Sequence, residues 1–138
     1  MNINPYLTFD GDCEAAFRFY AQCLGGTLQA LLPFGETPAG EEVPADFRDK
    51  ILHACLMLGD QALMGSDCPP TQPYEAIRGC SVTLHPDSVA EAERIFNALG
   101  EGGSVQMPLQ PTFWAERFGM LVDRFGVPWM INYGQPQS

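Results

Sequence analysis

The sequence predicts an α+β fold built from two tandem modules, each running strand, helix, strand, strand, strand. Two segments carry the apolar stripe of an amphipathic helix, the segments around them alternate with the period of strands, and the second set repeats the first. The stripe positions 13, 16, 20 and 23 recur at 89, 92, 96 and 99, a constant offset of 76. Immediately afterwards, GGTLQALL at 25–32 matches GGSVQMPL at 102–109, now offset by 77. Two curved mixed sheets with a helix on the outer face of each would leave concave faces to line a cavity, and function is sought there.

Taken in chain order, INPYLTF (3–9) alternates with Ile3, Leu7 and Phe9 on one face and Asn4, Tyr6 and Thr8 on the other. CEAAFRFYAQCL (13–24) is the first helix, with Asp12 placed to cap it and Gly25-Gly26 to stop it. Strands follow at 27–34, 51–58 and 61–65. Between the first two lies GETPAGEEVPADFRD (35–49), an acidic insertion that the second module lacks, read either as a flap or as a solvated loop. CPPTQPYEA (68–76) is a Pro-rich link. The second module opens with CSVTL (80–84), with Ser81 and Thr83 on the face opposite Val82 and Leu84. Its helix, VAEAERIFNAL (89–99), begins at a Ser88–Glu91 capping box and stops at Gly100, and strands follow at 104–109, 114–122 and 127–133. Residues 1–138 thus read as one domain, with module one over about 1–67 and module two over about 77–138.

Seventeen acidic against seven basic residues leave a net charge of −10, which argues against nucleic acid and against anionic membrane surfaces. The chain starts without a basic, apolar leader and holds no run long enough to span a bilayer, so a cytoplasmic location is expected. Five irregularly spaced cysteines without a C-x-x-C pair read as reduced thiols packed as small hydrophobes.

The residues PYLTFDGDCEAAFRFY (5–20), HACLMLGDQALMGSD (53–67) and FWAERFGMLVDRFGVPWMIN (113–132) resemble the PhnB-like branch of the vicinal oxygen chelate superfamily. That superfamily includes glyoxalase I, extradiol dioxygenases and bleomycin-resistance proteins. Some relatives carry a methyltransferase label, but no glycine-rich turn follows a strand and opens a helix here, as such a cofactor site requires. The resemblance implies metal ligands on the opening and closing strands of each module, and those positions fall on Asn4, Met64, Ser81 and Met130. Asn, Ser and two Met suit Ni, Zn, Mn or Fe poorly, so no cofactor is expected, with Cu(I) the one ion that thioethers and a thiol would suit.

The alternation of 51–58 puts Leu52, Ala54, Leu56 and Leu58 toward the helix and His53, Cys55 and Met57 toward the cavity. Tyr6, Thr8, Met64, Ser81, Thr83, Met130 and Asn132 join them, while Trp114 and Arg117 fall where the family's cavity rim runs. Such a set, largely apolar with a few polar anchors, suits a small-molecule ligand. His53 is the candidate acid, base or anchor, and Arg117 the candidate partner of a carboxylate or phosphonate. A Cys55–His53 nucleophilic pair is disfavoured, since side chains two apart on a strand stand about 7 Å from each other. Two functions follow from the resemblance: a metal-free binding protein for a small organic molecule, or an enzyme of the superfamily acting on a small organic or phosphonate-like substrate. Exposed strand edges make a homodimer the expected assembly.

Overall fold

A computed structural model describes residues 1–135. The chain forms two compact units, Met1–Glu75 and from Ala76 onward. In the first, β1 (Tyr6–Phe9) leads to α1 (Cys13–Leu24), β2 (Thr27–Pro33), β3 (Ile51–Leu58) and β4 (Gln61–Asp67). In the second, β5 (Val82–Leu84) leads to α2 (Val89–Gly100), β6 (Ser104–Gln110), β7 (Arg117–Val122) and β8 (Pro128–Tyr133). The sheets repeat one topology, β1-β4-β3-β2 and β5-β8-β7-β6, with the opening strand parallel to the closing one and every other pair antiparallel. Both sheets are open, mixed and four-stranded, as the α+β reading predicts.

Each helix packs its stripe on one face of its own sheet. Cys13, Ala16, Phe17, Tyr20 and Cys23 of α1 are buried against Leu7, Phe9, Ala54, Leu56 and Leu63. Ala92, Ile95, Phe96 and Leu99 of α2 are buried with Leu121, Trp129 and Ile131. Gly25 ends α1 in the left-handed conformation (φ 77°), its N–H donating to Ala21 O. α2 runs one residue further than its stripe suggests, taking in Gly100.

Four expectations shift. Asp12 precedes α1 but makes no capping hydrogen bond. The Cys13 N–H donates instead to the carboxylate of Asp67, at the far end of β4, and the second Asp67 oxygen accepts the Ile51 N–H at 2.8 Å. Asp67 is only 1% exposed. A buried carboxylate outcompetes the local cap because it satisfies two buried donors at once. Beside it, burial first and the carboxylates of Asp67, Asp12 and Glu14 second push the Cys13 thiol far above its ordinary range, so it stays neutral.

Second, a bulge in the β2–β3 pairing pairs Leu32 with His53 and Pro33 with Ile51. Leu52 is left as the extra residue, and Ile51, at 1% exposure, is the core side chain there. Third, β1 and β5 are shorter than their sequence patterns, so Ile3, Asn4, Cys80 and Ser81 lie outside the strands. Fourth, the 35–49 insertion, though mostly solvent-exposed, carries local structure of its own. It forms 3₁₀ turns at Phe34–Glu36, Pro38–Glu42 and Ala45–Phe47. Phe34 is buried against Phe47, with ring centroids 5.2 Å apart, and Arg48 Nε donates to Gly40 O.

Candidate functional site

In the first unit the face away from α1 is assembled by register. Tyr6 stands opposite Met64 and Thr8 opposite Ser66. Met64 in turn faces Cys55, and Ala62 faces Met57. On the other side of β3, Ala30 pairs with Cys55, Thr27 with Met57 and Leu32 with His53. All six sequence-selected residues of this unit (Tyr6, Thr8, His53, Cys55, Met57 and Met64) therefore share one face. The parity that buries Ala54 and Leu56 against α1 forces their neighbours to the other side.

Tyr6 and His53 belong to strands separated by β4, about 10 Å between strand axes. Their side chains close that gap across the sheet. The phenol oxygen and His53 Nδ1 are 3.2 Å apart, and the rings stack with centroids at 5.8 Å and planes 23° apart. Tyr6 is 50% exposed and His53 half-buried, so the pair is held yet reachable. Next along β3, the buried Cys55 thiol lies 3.7 Å from Gln29 Oε1 and 3.9 Å from Met57 Sδ. Gln29 reaches it because a second β2–β3 bulge, between Leu28 and Ala30, makes Gln29 the extra residue. Sequence periodicity missed Gln29 for that reason, and missed Ser66 because β4 runs two residues past its apolar pattern.

The second unit presents a different face. Thr83 pairs with Met130, Met130 with Met120 and Asn132 with Phe118. Across β6–β7, Met107 pairs with Met120. Thr83, Met130 and Asn132 thus lie together, with Phe118, Met120 and Met107 added by register. Trp114 packs edge-on against Phe118, with centroids at 5.1 Å, and is 43% exposed; Phe113 beside it is 86% exposed. Arg117 stands apart from this group. It pairs with Tyr133, on the parity of Gly119 and Leu121, which face α2. Its guanidinium donates to the Glu116 carbonyl at 2.7 Å. With Pro111, Thr112, Ala115 and Glu116 it lines a shallow cleft of about 260 Å³.

Asp123, also buried, is structural. One oxygen accepts the Phe125 and Val127 N–H groups and the other the indole N–H of Trp129 at 2.8 Å. This pins the β7–β8 turn to the core.

Register also refines the metal positions the resemblance implies. Met64 is paired with Tyr6 rather than Asn4, and Met130 with Thr83 rather than Ser81. Either set offers each unit one thioether and one amide, phenol or hydroxyl. That donor chemistry does not fit the Ni, Zn, Mn or Fe of the superfamily's metal-dependent members, which take imidazole and carboxylate. Among the described residues no three His, Cys, Asp or Glu side chains cluster as a metal site, and no helix is long and apolar enough to cross a membrane.

Comparison with known proteins places this geometry in a family. The Glyoxalase/Bleomycin resistance protein/Dioxygenase superfamily pattern matches residues 2–131. Protein YjdN of Escherichia coli K12 is 36% identical over 145 residues, covering 99% of this chain and 98% of that protein. The crystal structure of protein PA1353 from Pseudomonas aeruginosa superposes with a TM-score of 0.91 at 61% identity, over 98% of both chains. A Bacillus cereus PhnB protein, described as a putative 3-demethylubiquinone-9 3-methyltransferase, shares the fold with a TM-score of 0.80 at 21% identity, over 97% of this chain and all of that one. The strand order, the repeated modules and these matches agree: the chain belongs to the Glyoxalase/Bleomycin resistance protein/Dioxygenase superfamily.

Proposed function

We propose that this protein binds a small organic molecule on the helix-free face of its first unit, without the superfamily's usual metal. The observation that supports this is the Tyr6–His53 pair, a hydrogen-bonded and stacked phenol and imidazole standing half-exposed above a floor of Cys55, Met57 and Met64. Here Tyr6 takes Nδ1, which leaves Nε2 to meet a polar group of the ligand while the ring faces and thioethers cover its apolar part. The PhnB relative's methyltransferase description is not carried over. The turn between β1 and α1 is Asp10-Gly11-Asp12, which holds a single glycine and not the glycine-rich run that opens a nucleotide- or S-adenosylmethionine-binding helix.

The same pair favours a second reading, acid–base catalysis on a small organic or phosphonate-like substrate, because a phenol bonded to an imidazole can relay a proton near neutral pH. A thermal-shift screen followed by calorimetry tests both. In the presence of a chelator, a hit should bind the wild-type protein and lose about 1–3 kcal/mol of affinity in His53→Ala, with little change in unfolding free energy. Turnover of the hit would select the catalytic reading. Equal affinity in His53→Ala would overturn both.

We also propose a homodimer, since each sheet leaves its outer strands with one unpaired edge. Light scattering should give twice the chain mass of 15.1 kDa, and a single-chain mass at micromolar concentration would reject it.

A further inference from the structure

We propose that the first unit carries a soft-metal site of its own, for a monovalent ion of the Cu(I) or Ag(I) class, built on Cys55 and Met57 with Met64 beside them. This inference goes beyond the organic-ligand reading and needs no organic molecule. The Cys55 and Met57 sulfurs lie 3.9 Å apart on one face of β3, and Met64 stands opposite Cys55 on β4. Metal–sulfur bonds of about 2.3 Å that meet at about 120° around a three-coordinate ion hold their sulfurs about 4 Å apart. The spacing already present between Cys55 and Met57 is therefore that of a chelate.

Donor type selects the ion. One thiolate and two thioethers are soft and carry a single negative charge, which matches a soft monovalent cation. Zn(II) is poorly served, because its closed sites use four thiolate, imidazole or carboxylate ligands. His53, two residues before Cys55 on the same face, is engaged by the Tyr6 phenol and is not one of the ligands. In the unloaded protein the Cys55 thiol sits within reach of Gln29 Oε1 and Met57 Sδ. On binding, the S–H bond breaks, the proton leaves to solvent, and the sulfur lone pair forms the new bond to the cation. The metal keeps its oxidation state, and the net charge of the protein does not change.

The site is distinct from other thiols of the chain. Cys13 and Cys23 are buried on α1, the half-buried Cys68 thiol lies on the Pro69 and Gln72 carbonyls, and Cys80 is exposed. The experiment is an anaerobic titration of the full chain with Cu(I) in competition with bicinchoninate, run in a Cys68→Ser/Cys80→Ser background to silence the accessible thiols. One equivalent per chain should bind. Cys55→Ser should abolish it, and Met57→Leu should weaken it at least about tenfold, since even outer-shell partners are worth that much. Met57→Leu nearly conserves volume, so its unfolding curve should match that of the background and guards against a folding defect. No stoichiometric binding in the background protein, undiminished binding in Cys55→Ser, or unchanged affinity in a folded Met57→Leu would each overturn the proposal. His53→Ala is expected to keep Cu(I), so failure of the organic-ligand reading and failure of this one are told apart.

Discussion

The two units share one order of strands, yet the amino ends of their helices are held in opposite ways. α2 is capped by its own preceding residue, with the Glu91 N–H donating to Ser88 Oγ at 3.0 Å. α1 is capped by Asp67, 54 residues from Cys13, through a carboxylate that also holds the first N–H of β3. A local cap stabilises a helix whether or not the rest has folded. A distant one acts only after β4 has docked, and so ties helix, strand and sheet into one cooperative piece. The pair teaches that a repeated fold does not require repeated anchoring.

The largest expected effect tests that contrast. Asp67→Ala strands two buried N–H donors and should cost about 2–5 kcal/mol in urea-melt stability. A loss no larger than that of the local cap would break the distinction.

A second difference lies under the helices. By register, Ala54 opposite Gly65 in the first unit takes the place of Gly119 opposite Ile131 in the second, so the glycine changes strand. In each case an aromatic ring of the helix fills the space it leaves. A Cβ on Gly65 would lie 2.9 Å from Phe17 Cε2 and 2.7 Å from the Leu7 carbonyl oxygen. One on Gly119 would lie 2.6 Å from Phe96 Cε2 and 3.0 Å from Leu109 Cα. Gly119→Ala and Gly65→Ala should each cost about 1–3 kcal/mol by overpacking. Gly65→Ala should be the worse, since the Leu7 carbonyl belongs to a paired backbone that yields less than the end of a ring. The reverse order in thermal melts would show that the Phe96 ring has less room to turn than the backbone near β1 has to shift.

The smallest effect belongs to the local cap. Ser88→Ala should cost about 0.5–2 kcal/mol, with Ser88→Gly closer to neutral, as expected of an exposed N-cap. Agreement would sharpen the comparison, because the same helix position then depends on a distant side chain in one unit and on an adjacent one in the other.

The helix-free faces differ in chemistry as well. The first presents phenol, imidazole, thiol and thioethers; the second presents Phe118, Met107, Met120 and Met130 with Thr83 and Asn132. Three methionines around one aromatic residue make an adaptable apolar surface with little reactive chemistry. The reactive side chains therefore gather on the first unit's face.

Much of this was legible in the residues alone. Stripes with a helical period and alternation with a period of two are local properties, and a face assignment follows from parity once one residue's side is known. Hence His53, Cys55 and Met57 fall together on β3, and Trp129 and Ile131 fall in the core. Bulges defeat parity because one extra residue shifts every side chain beyond it. Leu52, Ile51 and Gln29 therefore stand where alternation does not put them. Arg117 stands out in the sequence only by its place in a motif, and only pairing with Tyr133 shows that it takes the parity of the α2-facing residues.

By itself the sequence determined two βαβββ modules, the helix-facing core and the absence of the usual ligand chemistry at the implied metal positions, since composition and short-range periodicity suffice for each. Tertiary structure alone decided that Asp67 rather than Asp12 caps α1, that Tyr6 reaches His53 across β4, and that the Cys55 and Met57 sulfurs lie 3.9 Å apart. Contacts of the first two kinds join residues about fifty apart, and the third depends on side-chain rotamers set by packing. No pattern along the chain encodes these, because they exist only once strands have found their register.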